Sequence, residues 1–437
     1  MGAGTNHSYI FIPISLKGRL LSFSQLQQQL PHEKYWEITK DEILYLYRYI
    51  TDKMDISRPD DCVYFHMKLS GSALEEAGLG ANGKEYSIHP RDEYLFDDHI
   101  DFKITNIHLF VFRSLICVAA IQVSFVDNDP LYMATGLYYL KKPNRDHIWI
   151  GENDTQKTVQ GVLYELLPIQ IQSSASFFFY LNSGMERSNT MSLTFHHEGS
   201  SVEKELYYLK NCYRASGFEY TDGQRKEDER LITSDDYEWG VTNENLACVI
   251  TRKTRHIENA FIKHFCAQYL FMYVFLLHRK YDLYRILTDI GVGEQRDLGA
   301  LKHYKELLFE YQADYSFVRI TEVPQYHRLY KKIEEKMELD ALFSDAMEPV
   351  TSLTQLRQEK SEEEQSKKNN EIESALGLLS VLTVFSALID CYSYIEAIRL
   401  EMEDVSHVSP MSYVHLGFSI LIIATVIFVI RKLRRSK

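Results

Sequence analysis

Two long apolar runs near the end of the chain dominate its hydrophobic pattern. The first run, 375–395, reads ALGLLSVLTVFSALIDCYSYI, and the second, 413–430, reads YVHLGFSILIIATVIFVI. A helix needs about 17 to 25 mostly apolar residues to cross a bilayer. Both runs reach that length, so the sequence predicts two transmembrane helices and a protein integral to the membrane.

Basic residues collect on one side of these predicted spans. Lysines precede the first span, and a basic tail, 431–437, follows the second. The segment between the spans, 396–412, is acidic and holds Arg399 as its one Lys or Arg. Because Lys and Arg favour the cytoplasmic side, we predict that the protein lies in the cell (inner) membrane with both termini in the cytoplasm. The segment 396–412 is then on the outer side of that membrane.

Before the first span, the pattern predicts a folded domain over residues 1–250. Short β-branched and aromatic runs predict strands, and apolar residues at helical spacing predict a few helices. Short turns between neighbouring strands favour a mostly antiparallel α+β domain over a doubly wound sheet. The predicted strands are 9–13, 62–69, 102–112, 115–125, 131–140, 176–181 and 191–195, and the predicted helices are 40–54, 158–171 and 202–215.

The pattern of residues 251–374 predicts helices only, a helical pair at 254–290 and 297–323 followed by a stalk. The apolar run 268–277 is too short to cross a membrane. The stretch 357–374 is almost entirely polar and has no Pro or Gly, which is typical of a solvated helical stalk or a flexible linker. We favour the stalk, because this stretch continues without a helix breaker into the first span.

Composition excludes several classes of function. The net charge of −13 argues against bulk nucleic acid as a partner. Six scattered cysteines without a C-x-x-C pair favour a reducing compartment, and the first thirty residues do not resemble a secretory signal. The sequence contains no P-loop, G-x-S-x-G or H-E-x-x-H motif, so we expect no enzyme.

One face of the first predicted span carries the candidate chemistry. Residues spaced three, four and three apart share a helical face, and a carboxylate within a span normally faces a partner helix, water or an ion. We predict this polar face as pore-lining, with Asp390 as its metal-binding member. Its residues are Thr383, Ser386, Asp390 and Ser393. The alternative is that Asp390 reaches the outer interface and only ends the helix.

An acidic cluster follows this face in the sequence. Carboxylates at a pore mouth would concentrate cations, although a solvated loop is the alternative. The predicted members of this outer acidic cluster are Glu396, Glu401, Glu403 and Asp404.

The order of these segments resembles the CorA family of magnesium channels. In that family a cytosolic α/β domain precedes a long stalk helix, a first span, an acidic loop, a second span and a basic tail. The run Lys368-Asn369-Asn370-Glu371-Ile372 before a Leu/Thr-rich span is similar to the Asn-rich turn of family members. The resemblance implies a homo-oligomer, a pentamer in the family, that conducts Mg²⁺ or another divalent cation under the control of its cytosolic domain.

One departure from the family leaves two alternative functions open. The family ends its first span with Gly-Met-Asn, where this chain has Tyr392-Ser393-Tyr394. Relatives without the motif include membrane effectors of type III CRISPR defence systems, and resemblance to them implies a nucleotide signal as ligand. The second alternative is a scaffold that does not conduct and is only anchored in the membrane.

Overall fold

The computed structural model describes residues 6–16, 22–39, 43, 45–90, 99–150, 155–177, 187–214, 218–221, 230–292, 298–402, 414, 417, 420–421, 423–424 and 427. The chain divides into two compact units, Met1–Val350 and Thr351–Lys437. The first is a mixed domain of one large sheet and several helices, and the second contains most of a long helix.

The sheet of the first unit contains thirteen strands. Its main path runs in the order β11-β12-β13-β10-β1-β6-β5-β4-β7-β8, with β2 and β3 continuing from β5 and with β9 paired to β1. Every described pairing is antiparallel except that of β10 with β13. The strands are β1 His7–Leu16, β2 Trp36–Ile38, β3 Tyr64–Leu69, β4 Glu85–Ile88, β5 Ile100–Phe112, β6 Ile116–Phe125, β7 His147–Ile150, β8 Thr155–Thr158, β9 Ala175–Phe177, β10 Asn189–Phe195, β11 Arg230–Ser234, β12 Tyr237–Val241 and β13 Asn245–Ile250.

The central strand β1 is buried on both faces of the sheet. Side chains alternate along a strand, so Tyr9 and Phe11 enter one apolar core, whereas Ile10 and Ile12 enter the other. Burial on both sides explains why β1 reads as a nearly continuous apolar run. The sheet is therefore the middle layer of a three-layer domain.

Helices cover both faces of the sheet. Helices α4 and α7 pack on the face of Ile10, while the helices that follow β13 pack on the face of Tyr9. The helices are α1 Phe23–Gln29, α2 Arg48–Thr51, α3 Gly71–Ala77, α4 Pro130–Leu140, α5 Val159–Leu166, α6 Ile169–Gln172, α7 Val202–Asn211, α8 Leu270–Val292, α9 Leu298–Tyr315, α10 Pro324–Lys336 and α11 Leu339–Met402.

Helix α8 accounts for the short apolar run that the sequence placed outside any membrane. Two π-helical turns, Ile257–Phe261 and Phe265–Tyr269, flank a short α-helical turn and lead into it. Residues 270–277 at its start are all buried in the core, so this apolar run covers the sheet.

The predicted strand 131–140 is wrong, because these residues form helix α4. Asp129 caps the helix by accepting a hydrogen bond from the Leu131 amide, and Pro130 occupies the first turn. Pro at this position suits a helix start. The helix is buried on nearly every side, so it lacks the polar face whose spacing would identify it.

Several other predicted helices are shorter than expected: 202–215 ends at Asn211 in α7, and 297–323 ends at Tyr315 in α9. Within 40–54 the described helical residues are α2 and a 3₁₀ turn, Asp52–Met54. The predicted helix 158–171 is interrupted before Pro168 and gives α5 and α6. The sequence prediction also missed the strands β11, β12 and β13, and the short strands β2, β4, β7 and β8.

Helix α11 continues for 64 residues. It contains the predicted stalk and all of the predicted first span, and it extends beyond 395 to Met402. Pro349 lies inside the helix, at a position where a proline normally kinks the helix or begins a new one. The structure does not show the predicted two-helix hairpin, because it describes only part of the predicted second span. The described positions of that span are helical, and they are Val414, Gly417, Ile420, Leu421, Ile423, Ala424 and Ile427. The rest of 413–430, and the predicted basic tail 431–437, lie outside the described residues.

Candidate functional site

The predicted polar face lies within one uninterrupted helix. Thr383, Ser386, Asp390 and Ser393 all belong to α11, and all four are exposed. At 100° per residue they fall within an arc of about 80° around the helix axis. The continuity of α11 therefore places the four side chains on one side, as their spacing predicts.

The same side of the helix becomes apolar toward the N-terminus. Ile372, Leu376 and Leu379 precede Thr383 at spacings of four, three and four residues. We call these three residues the apolar triplet. Each is 57 to 59% exposed in the single chain. One face of α11 therefore carries three large apolar side chains followed by a hydroxyl- and carboxylate-bearing stretch.

The hydroxyl of Thr383 is held by its own helix. Thr383 Oγ1 donates to the carbonyl oxygen of Leu379 at 2.8 Å, and Ser380 Oγ donates to that of Leu376 at the same distance. A hydroxyl that donates backwards along its helix satisfies its hydrogen in an apolar medium. The lone pairs of Thr383 Oγ1 remain available as acceptors toward a cation or water.

The rest of the span is apolar and uncovered. The helical stretch Leu339–Ala397 includes an 18-residue window of mean hydropathy 2.0, none of which is buried by the chain itself. At 100° per residue, the side of α11 opposite the polar face carries Val381, Leu388 and Tyr392, which are 47 to 69% exposed. In the part of the chain that the structure describes, this is the one helix long and apolar enough to cross a membrane.

The predicted outer acidic cluster does not form a loop at its start. Glu396 is exposed and helical, and at 100° per residue it lies about 60° beyond Ser393 around the helix axis. Glu401 is also within α11, whereas Glu403 and Asp404 lie outside the described residues. The two described members of the cluster therefore continue the helix where the sequence predicted a loop.

The first turns of α11 are anchored in the core of the first unit. Leu339, Ala346 and Val350 are buried, and the ring of Phe343 stacks on Tyr311 of α9 with 5.7 Å between centroids. The chain turns from α10 into α11 over two residues, with Glu338 in the left-handed region at φ 54°. A movement of this core would therefore act directly on the start of α11.

A second candidate site, which sequence reasoning missed, is a cleft beside β7. Its described lining holds four cations and one carboxylate, in a volume of about 590 Å³. We call it the basic cleft. The charged residues of its lining are Lys142, Arg145, Arg187, Arg214 and Asp146.

Two cations of the basic cleft lie against one aromatic ring. Lys142 Nζ is 3.8 Å from the ring centroid of Tyr138, and the Arg214 guanidinium carbon is 5.2 Å from it. Tyr138 and Tyr139 lie in the last turn of helix α4, and their rings meet edge to face. Lys142 also approaches Asp146, with 3.5 Å between Nζ and Oδ2.

The opposite wall comes from the β7–β8 hairpin. Trp149 of β7 pairs with Gln156 of β8, and the indole ring of Trp149 meets the His89 ring at 5.0 Å. His147 lies two residues before Trp149, so both point to the same face of the strand. These residues are separated by up to about 125 positions in the sequence, so no local motif signals the cleft.

Comparisons of the chain with protein-family models, with curated proteins and with solved structures give no match.

Proposed function

We propose that this protein is a homo-oligomeric membrane channel for divalent cations, resembling the CorA family in organisation and gated by its N-terminal domain. In this proposal both termini lie in the cytoplasm and several copies of α11, five by analogy with the family, surround the pore. The observation that carries the proposal is the polar face within the otherwise apolar first span of α11.

The polar face suits a hydrated divalent cation. Mg²⁺ prefers oxygen ligands and keeps several of its waters. Copies of Thr383 and Ser386 would offer hydroxyl oxygens, and a ring of Asp390 carboxylates would supply negative charge. In the described residues of one chain, no group of three or more His, Cys, Asp or Glu side chains is placed to hold a metal ion. A metal site at Asp390 therefore requires neighbouring copies.

The apolar triplet would form the gate. Rings of Ile and Leu in a narrow pore exclude water, and such hydrophobic constrictions close channels by dewetting. Because the first turns of α11 are packed in the domain core, a rearrangement of that core would rotate or shift the helix. The gate then has two packings, and a ligand of the domain selects between them.

Flux into liposomes tests this proposal. The full chain, reconstituted with a Mg²⁺-sensitive dye inside, should carry Mg²⁺, and Asp390→Asn with Thr383→Val should lower the rate at least tenfold. The matched control is Tyr392→Phe with Leu388→Val, on the opposite side of α11. Equal rates in the polar-face variant and the unchanged chain would reject the pore, and no flux under any condition would favour the non-conducting scaffold.

A second candidate function is a membrane effector of the same architecture that opens in response to a nucleotide signal. The basic cleft favours this candidate, because four cations line a cleft in a chain whose net charge is −13. Permeability separates the two. A channel for divalent cations excludes a dye such as carboxyfluorescein when open, whereas an effector that disrupts the membrane releases it.

A further inference from the structure

The basic cleft has the composition of a site for an anionic aromatic ligand. We infer that it binds a nucleotide carrying two or more phosphate charges. The ligand's phosphates would contact Lys142, Arg145 and Arg187, and its base would stack against Trp149. This inference deepens the second candidate function by naming the site and the ligand class, and its test does not depend on conduction.

Charge is the first argument. Four cations and one carboxylate leave the described lining with an excess of three positive charges. Arg and Lys bind phosphate oxygens through charge-assisted hydrogen bonds, and Arg does so with two parallel donors. Lys142 and Arg214 both lie against the ring of Tyr138, which places two of the four cations beside one side chain.

The aromatic walls are the second argument. Trp149 is half-buried and lines the cleft, and its indole ring meets the His89 ring nearly at a right angle, with 83° between the ring planes. Bases stack on such rings irrespective of their identity. Inorganic phosphate has no planar group that could stack on an aromatic ring, so the aromatic walls favour a ligand that carries a base.

Backbone contacts build the cleft into the fold, which is the third argument. The Ser188 amide donates to the Lys141 carbonyl at 2.6 Å, which places Arg187 beside the turn after α4. The Gln160 amide donates to the Pro143 carbonyl at 2.8 Å and ties that turn to α5. The volume of about 590 Å³ falls among small-molecule sites, which are about 300 to 1,000 Å³.

Binding of trinitrophenyl-ATP to the purified full chain tests the inference, with its fluorescence as the readout. Saturable binding should weaken about tenfold or more in Arg145→Ala with Arg187→Ala, since each Arg contributes charge-assisted contacts. The matched control is Arg48→Ala with Lys302→Ala. It removes the same charge at sites 85% and 78% exposed, outside the cleft lining, and should change binding by less than about twofold.

Competition separates the nucleotide from a bare anion. ATP should displace the probe at a concentration at least about tenfold lower than tripolyphosphate, and Trp149→Ala should remove that advantage because stacking is lost. Equal displacement by tripolyphosphate, equal weakening in the two double variants, or no saturable binding would each overturn the inference. A variant qualifies for comparison when its unfolding temperature lies within about 2 °C of that of the unchanged chain.

Discussion

Arg279 and Glu334 form a salt bridge inside the helical layer of the first unit. Arg279 Nη1 lies 2.5 Å from Glu334 Oε1, and the two side chains are 2% and 9% exposed. The same guanidinium donates to the hydroxyls of Tyr311 and Tyr330, so it joins α8 to α9 and α10. Glu334 lies four residues before Glu338, where the chain turns into α11.

Removing one member of this pair should destabilise the domain strongly. Arg279→Met leaves the Glu334 carboxylate buried without its guanidinium, with Lys331 Nζ at 2.5 Å as its remaining cation, and breaking a buried pair costs about 3 to 5 kcal/mol. We expect a lower unfolding temperature, measured by scanning fluorimetry of the full chain in detergent. The control is Lys302→Met, whose partner Glu306 is 3.9 Å away at the surface, with an expected loss below about 1 kcal/mol.

The double variant Arg279→Met with Glu334→Met distinguishes a buried charge from lost packing. Replacing both charges by apolar groups of similar volume also removes the buried carboxylate that has lost its guanidinium, so most of the lost stability should return. A double variant as unstable as Arg279→Met would show that the hydrogen bonds to the tyrosine hydroxyls, rather than the ion pair, hold the three helices.

A buried histidine pair should make the domain sensitive to acid. His66 Nε2 and His108 Nδ1 are 3.0 Å apart, and burial together with His66 lowers the pKa of His108 to about 3. The unfolded chain, with an ordinary pKa of about 6.5, binds more protons between these values. This contribution to stability is complete above pH 6.5 and is lost as the pH falls toward 3.

We expect His108→Gln to flatten the loss of stability between pH 6.5 and 4.5, by up to about 1.4 kcal/mol per pH unit. The measurement is the unfolding temperature against pH, compared with His303→Gln, which removes an exposed histidine. Burial raises the pKa of Asp282 to about 6, so the protonation of this carboxyl stabilises the folded chain as the pH falls. This opposing contribution is the same in the unchanged chain and in both histidine variants. Parallel profiles for the two variants would contradict the assignment.

Sequence patterns predicted those parts of the fold in which one local rule acts alone. Strands β5 and β6 match the predicted 102–112 and 115–125 to within two residues, because each is a long β-branched run bounded by turns. Helix α4 was predicted as a strand because burial on nearly every side removes the helical period. Burial of this kind depends on distant elements and cannot be read from ten residues.

The candidate sites follow the same division. The polar face needs only helical spacing, so the sequence identifies it, and the continuity of α11 adds the apolar triplet before it. The basic cleft combines the end of α4, the β7–β8 hairpin and Arg214 after α7. The cations of the cleft are distant from one another in the sequence, where each resembles an ordinary surface charge. They lie together only in the folded domain.

A glycine in α4 provides a test of the helix that replaced a predicted strand. A Cβ on Gly136 would lie 2.9 Å from Phe125 Cζ and 3.2 Å from Ile100 Cγ2. Ala normally stabilises a helix by about 1 kcal/mol relative to Gly. Here we expect Gly136→Ala to destabilise by about 1 to 3 kcal/mol, since a close-packed core has no room for the methyl group.

Gly71→Ala in α3 is the matched control for this reversal of sign. A Cβ there meets nothing within 4 Å, and the residue is exposed in the first turn of the helix. Unfolding temperatures should fall for Gly136→Ala and stay equal or rise for Gly71→Ala. A stabilising Gly136→Ala would mean that Phe125 has space to move and that α4 packs less tightly on β6.

The apolar triplet of α11 yields the sharpest test of the proposed gate. If Leu379 closes the pore by excluding water, Leu379→Ser should wet the constriction and raise the resting Mg²⁺ flux of reconstituted protein at least about tenfold. The control is Leu378→Ser, one residue away, which introduces the same hydroxyl on another side of the helix. Both leucines are 59 to 66% exposed in the single chain, so neither substitution leaves a cavity within it.

Combining the gate and polar-face changes assigns the pathway of that leak. Ions that leak through the proposed pore pass the ring of Asp390, so Leu379→Ser with Asp390→Asn should lose most of the added flux. A leak that persists in the double variant, or that appears equally in Leu378→Ser, would mean that the serine disturbs the bilayer. The face shared by Leu379 and Asp390 would then be a contact between helices, and the non-conducting scaffold would be the better account of the protein.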